Sequence, residues 1–169
     1  MNEKRRLLGM TLDELKGVAF EAGLPGYAAK QMADWLYKKK VTSIAAMTNI
    51  ASAKRALLEK NFEVGAVPPS DLMKSVDGTI KYLYPAGPGN FVESVYIPTE
   101  DRATLCVSSQ VGCKMNCLFC MTGKQGFTKN LSANEILNQI QSLPETEELT
   151  NIVFMGMGEP LDNVDELFK

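Results

Sequence analysis

Four cysteines fall between Cys106 and Cys120, and the 169-residue chain has no other cysteine and no histidine. Three of them, in Cys113-Lys-Met-Asn-Cys117-Leu-Phe-Cys120, stand at C-x3-C-x2-C spacing. A cluster this tight points to metal or redox chemistry rather than to a disulfide framework. Three thiolates can hold three irons of a 4Fe-4S cluster, whereas closed ferredoxin-type sites supply four protein ligands. The remaining iron is then open to a substrate or cofactor, in the way catalytic zinc sites keep a vacant position. A zinc site closed by Cys106 is the competing reading. Zinc knuckles, however, usually pair their cysteines as two C-x2-C halves, and C-x6-C-x3-C-x2-C does not. Without histidine, His-based nucleophilic or acid-base catalysis is excluded within these residues.

The charge is unevenly placed. Residues 1–60 carry 11 Lys and Arg against 6 Asp and Glu, and residues 61–169 carry 7 against 14. A basic module joined to an acidic one suggests that the first meets a polyanion, with a solvated helical surface as the plainer reading. Apolar residues make up 45% of the chain, enough for a core. The start, MNEKRRLLGM, lacks the apolar stretch and cleavage site of a secretory signal, and the longest apolar runs are a few residues. The expected location is the cytoplasm, with no membrane involvement.

Three domains are expected along the chain. Residues 1–68 read as a helical accessory domain. Thr11 and Glu14 form a capping box ahead of Leu15, Val18, Ala19 and Ala22, and Gly23 closes that helix. A second helix carries Ala29, Met32, Ala33 and Leu36 and ends in Lys38, Lys39 and Lys40, where the helix dipole favours cations. Ile50 to Leu58 completes the bundle. Residues 69–102 read as a β meander, with Asp77-Gly78 turning a hairpin between Leu72 to Val76 and Thr79 to Leu83, and Phe91 to Ile97 following. Residues 103–169 begin with a strand from Ala103 to Ser108 and a cysteine loop. Ser132 and Glu135 then cap a helix bearing Ile136, Leu137 and Ile140, and Asn151 to Met155 reads as a buried strand. Strand, loop, helix, strand is a βαβ unit of a parallel sheet, so the fold class is α/β. Two parallel strands make no protected core alone, and the natural protein is expected to continue beyond Lys169.

A second signal follows that last strand, in Gly156-Met157-Gly158-Glu159-Pro160. Glycines at the C-terminal end of a parallel strand let backbone approach a ligand, and ligands of α/β sheets bind at that end. There Glu159 is expected to accept hydrogen bonds from an ammonium group. Phe119, just before the third cysteine, is expected to pack near the metal and limit water access.

These residues resemble the RlmN/Cfr family of radical S-adenosylmethionine RNA adenine methyltransferases. The resemblance runs through Arg102-Ala-Thr-Leu-Cys106-Val-Ser-Ser-Gln-Val-Gly-Cys113, then Cys117, Phe119 and Cys120, Gly126-Phe127, Asn130-Leu131 and Gly156-Met-Gly-Glu-Pro160. It extends to Gln31, Trp35, Tyr37 and Met47-Thr48-Asn49 in the helical start. It implies a partial (β/α) barrel, here truncated to its first βαβ unit, preceded by an RNA-binding accessory domain. Implied cofactors are a 4Fe-4S cluster on Cys113, Cys117 and Cys120, and S-adenosylmethionine held by Gly158 and Glu159. Glu93, in Phe-Val-Glu93-Ser-Val-Tyr-Ile-Pro, matches the family's proton acceptor. Cys106 matches a cysteine that pairs transiently with a methyl-carrying cysteine. Implied partners are 23S rRNA, tRNA and an electron donor for the cluster, with the protein a monomer. Val111 and Pro160 look more like the carbon 2 branch than the carbon 8 branch. No cysteine follows Cys120 to carry the methyl group, so these residues alone are expected to be inactive. Without the resemblance, Glu93 reads as a surface residue of a strand and Cys106 as a small buried one. A noncatalytic RNA-binding module with a zinc or empty cysteine loop is the alternative from a different class.

Overall fold

The computed structural model describes residues 4–169. They form two compact units, 4–66 with Lys169, and 67–168.

In the first unit the predicted capping box is present. Thr11 Oγ1 accepts from the Glu14 N–H and Glu14 returns a bond to the Thr11 N–H, starting α1 (Leu12–Glu21). The helix ends where Gly23 takes φ +61°: its N–H reaches the Phe20 carbonyl and Leu24 N–H reaches that of Ala19, the paired bonds of a Schellman cap. The second helix is not uniform. After α2 (Ala28–Ala33) it widens into a π-helical turn, Asp34–Lys38, in which Lys39 N–H reaches back five residues to the Asp34 carbonyl. A short 3₁₀ turn, Ile44–Ala46, leads to α3 (Ser52–Asn61). Leu7, Leu15, Val18, Ala29, Met32, Leu36, Met47 and Leu58 are its buried core. A two-residue parallel pairing of β1 (Arg5–Arg6) with β2 (Phe62–Glu63) ties the ends of the unit together. Such a short pairing leaves no periodic trace in sequence.

The second unit opens at Val67, whose N–H and carbonyl are both bonded by the Asn138 amide. Its main sheet runs β3 (Asp71–Lys74), β4 (Ile80–Pro85), β5 (Phe91–Pro98), β6 (Ala103–Cys106), β9 (Asn151–Val153), antiparallel until β6 and parallel between β6 and β9. The meander and the βαβ unit are therefore one continuous sheet. The Asp77-Gly78 hairpin has a three-residue loop: Ser75 N–H bonds the Thr79 carbonyl, and Gly78 sits at φ +88°. One sheet face is covered by α5 (Ala133–Gln141), which Ser132 and Glu135 cap as expected. Tyr82, Tyr84, Val92, Leu105, Val107, Leu131 and Ile136 form the core on that side. Ser94 and Tyr96 of β5 are buried with them, while alternate residues Glu93 and Val95 belong to the opposite, less buried face.

The expectation of a buried strand from Asn151 to Met155 is corrected. Pairing stops at Val153, and Ile152 is 43% exposed because β9 is an edge of the sheet. A small antiparallel hairpin absent from the sequence reading also appears, β7 (Gln110–Gly112) with β8 (Phe127–Asn130). It closes the base of the cysteine loop, which also contains the single-turn helix α4 (Met121–Lys124). At the hairpin, Gly112 has φ +76°, and a Cβ there would lie 1.8 Å from the Gly126 carbonyl oxygen.

Two glycine substitutions should move stability in opposite directions. Gly17, exposed within α1 with nothing within 4 Å of an added Cβ, should gain about 0.5–1 kcal/mol as Gly17→Ala. Gly112→Ala should lose about 3 kcal/mol or more, from strain and the clash together. Urea unfolding followed by circular dichroism measures both, and a neutral Gly112→Ala would contradict this packing.

Candidate functional site

Two loops leave the C-terminal ends of the parallel strands β6 and β9 side by side. The first, from Val107 onward, leads through β7 into the cysteine loop, and the second is Phe154 to Glu159. Val107 N–H bonds the Val153 carbonyl, Gly156 N–H bonds the Val107 carbonyl, and Ser109 and Gln110 N–H groups both reach the Met157 carbonyl. Ser108 Oγ donates to the Glu93 carbonyl at 2.6 Å and accepts from the Met157 N–H at 2.9 Å. Gln139, fully buried in α5, brackets Ser108 by bonding both its N–H and its carbonyl.

The glycines of the second loop permit this closeness. A Cβ at Gly156 would sit 2.7 Å from Ser108 Oγ, and one at Gly158, where φ is +98°, would sit 2.5 Å from Gln110 Cβ. The close approach expected of these glycines is thus made to the chain's own residues 107–110. Glu159 caps the 3₁₀ turn Pro160–Asp162, its carboxylate accepting from Leu161 N–H at 3.1 Å.

The cysteine loop places its thiols differently from one another. Cys113 is buried at the end of β7, with its N–H on the Gly126 carbonyl and its sulfur accepting from Met115 N–H at 3.5 Å. Cys117 is exposed. Cys120 precedes α4, where the N–H groups of Gly123 and then Thr122 hold its thiol below the usual range. Gly123 lets the turn fold tightly, since its Cβ would meet Asn116 Cα and Cys117 N at 3.1 Å. Each of Cys113 and Cys120 turns its sulfur to a local N–H, and among the described residues no three Cys, Asp or Glu side chains gather closely enough to hold a metal ion. What the loop offers is a donor set: three thiols within eight residues, one of them biased toward thiolate. Phe119, between Cys117 and Cys120, is 92% exposed.

Glu93 and Cys106 lie on the same, less buried face of the sheet. Cys106 pairs across from Val95, two residues from Glu93 on β5. Glu93 forms an ion pair with Lys81 at 2.9 Å, both side chains nearly half exposed. Burial pushes the Cys106 thiol up, partly opposed by an N–H from Met155. The sequence reading did not single out Gln110, Asp162 or Asn163. Asn163 Nδ2 bonds the carbonyls of Ser109 and Leu131, and Asp162 accepts from Lys114 at 2.8 Å, an interaction that together with Gln110 lowers its pKa. Their only sequence signal was membership of the long matched stretch or proximity to it.

Comparison with known proteins agrees with this arrangement. Residues 5–64 match the family described as the ribosomal RNA large subunit methyltransferase N-terminal domain, and residues 107–169 match the radical SAM superfamily. A probable dual-specificity RNA methyltransferase RlmN from Parabacteroides distasonis is 82% identical over all 169 residues, which cover 49% of that relative. Its counterpart from Bacteroides thetaiotaomicron is 64% identical over the same length, again 49% of the relative. The dual-specificity RNA methyltransferase RlmN of Geobacter sulfurreducens is 46% identical over 95% of the chain and 45% of its own length. A crystal structure of a radical SAM methyltransferase from Sphaerobacter thermophilus superposes with a TM-score of 0.87 at 36% identity, covering 97% of this chain and 50% of the other. The chain spans about half the length of the curated relatives it matches. One matched model lies on the helical unit and the other on the cysteine loop and glycine turn, and along its whole length the chain is similar to about half of the RlmN radical SAM proteins.

Proposed function

We propose that the chain is the N-terminal portion of an RNA methyltransferase that places a methyl group on carbon 2 of an adenine in 23S rRNA and in some tRNAs. The observation that carries the reading is the pairing of a three-thiol loop with a glycine loop at the C-terminal ends of adjacent parallel strands. The donor set fits an iron-sulfur cluster with one open iron. In this reading Cys113, Cys117 and Cys120 hold a 4Fe-4S cluster, and Gly158 and Glu159 receive S-adenosylmethionine. When bound, the cluster supplies the electron that cleaves a carbon-sulfur bond of that cofactor.

The remaining roles belong to side chains of the sheet face. Glu93, ion-paired with Lys81, is assigned as the acceptor of the adenine proton. Cys106 is assigned to pair transiently with the methyl-carrying cysteine when product leaves it. No cysteine follows Cys120 in these 169 residues, so the reading places that carrier outside them and expects no methyl transfer from these residues alone. The helical unit is assigned to gripping RNA in the cytoplasm. Its basic turn is partly engaged within the protein, since Lys38 pairs with Asp34 at 2.7 Å and Lys39 lies 3.4 Å over the Trp35 ring.

Anaerobic reconstitution with iron and sulfide should give a brown protein holding about four irons per chain. Its spectrum should change on adding S-adenosylmethionine, without methylation of an adenine-containing RNA. Cys113→Ser, Cys117→Ser and Cys120→Ser should each lose most of the iron, and Cys106→Ser should keep it. A colourless product binding one zinc would favour the noncatalytic module instead. Replacing Lys38, Lys39 and Lys40 by Gln should weaken binding to structured RNA and reduce the salt slope of log K by about 1–2, fewer than three full contacts because of Asp34 and Trp35. Unchanged binding would leave the turn as a solvated helix end. In the reduced, metal-free protein, iodoacetamide should label Cys106 only above the ordinary thiol range, since burial disfavours its thiolate, and label Cys120 at lower pH. Mass-mapped labelling against pH reads this order, and a reversed order would contradict the thiol environments.

A further inference from the structure

We infer that Gln110 is a positioning residue that locks the glycine loop to the cysteine loop, so that the two cofactor-bearing segments keep one fixed register. Gln110 is fully buried on β7, three residues before the first cysteine ligand. Both polar atoms of its amide are bonded, to the paired strand β8 and to the segment that follows the glycine turn. Oε1 accepts from the Glu159 N–H at 2.9 Å, while Nε2 donates to Asn130 Oδ1 at 2.9 Å and to Asp162 Oδ2 at 2.8 Å. That same Asp162 oxygen accepts from Lys114 Nζ at 2.8 Å, and Lys114 lies between Cys113 and Cys117. One continuous path therefore runs from the backbone of Glu159 through Gln110 and Asp162 into the cysteine loop. The side-chain stem completes it, because Gly158 is packed so tightly on Gln110 Cβ and Cγ that no larger residue fits there.

An apolar side chain of similar size would fill the same space. It would leave the Glu159 N–H and the Asp162 carboxylate without this partner, and the loop free to shift. The amide is therefore required for registration rather than for bulk.

This inference rests on the cofactor reading above, and its test separates the two. In the reconstituted protein, Gln110→Met should keep its iron and lower the melting temperature by a few degrees, while weakening S-adenosylmethionine binding about tenfold, the worth of a buried hydrogen bond to a loop that must be held. It should also diminish the change in the electron paramagnetic resonance spectrum of the reduced cluster on adding that cofactor. Gln110→Glu, which sets a carboxylate against Asp162, should weaken binding at least as much. The paired exchange Gln110→Glu with Asp162→Asn restores a donor and acceptor between positions 110 and 162, though not the bonds to Asn130 Oδ1 and from Lys114, and should bind about threefold better than Gln110→Glu alone. Wild-type affinity in Gln110→Met overturns the inference alone. So does a folded paired exchange that recovers no affinity, which also decides the matter should Gln110→Met fail to fold. A wild-type protein that takes up iron yet does not bind S-adenosylmethionine, or takes up no iron, overturns the cofactor reading and this inference with it.

Discussion

The parallel pairing of β6 with β9 is the constraint on which the second unit's chemistry depends. Two strands running the same way deliver their outgoing loops to the same end of the sheet, and the helix α5 that connects them covers the face that bears the core. The register Cys106 to Val153 then continues past the strands as loop-to-loop bonds, through Val107, Ser109 and Gln110. Irregular backbone is held here by buried side-chain amides, Gln139 on Ser108, Gln110 on Glu159 and Asn163 on Ser109 and Leu131. Buried amides of this kind supply the bonds that a strand or helix would otherwise make.

Steric limits complement those bonds. Gly112, Gly156 and Gly158 each stand where a Cβ would overlap a neighbouring atom, two of them also at positive φ. They bring the base of the cysteine loop, the strand end at 107–110 and the glycine turn into contact at backbone distance. A glycine here serves packing of the protein on itself, and whatever it offers a ligand follows from the loop shape that packing creates.

The helical unit follows simpler rules, with one departure. Capping at Thr11 and termination at Gly23 fix α1, and a continuous apolar stripe fills the core. The π-helical turn Asp34–Lys38 inserts one residue into the second helix, so that Trp35 faces Asn49 through its indole N–H and receives Lys39 on its ring. The basic end of this helix is thereby an ordered group of charges and an aromatic ring rather than a loose run of lysines.

Much of this was legible from residue order. Both capping boxes, the Asp77-Gly78 hairpin, the strand from Phe91 and the βαβ order depend on local hydrogen bonds and short periodicities, which neighbouring residues alone dictate. The cysteine spacing likewise defined a donor set and, with the glycine turn, the resemblance. The short β1–β2 and β7–β8 pairings, the exposed edge of β9 and the exposure of Phe119 depend on partners dozens of residues away or on which strand ends the sheet. The buried amide of Gln110 reads in sequence as one polar residue among several. Only the folded chain, which brings residues 110, 130, 159 and 162 within hydrogen-bond reach, decides that it joins two loops, because that convergence is set by strand register and not by any local preference.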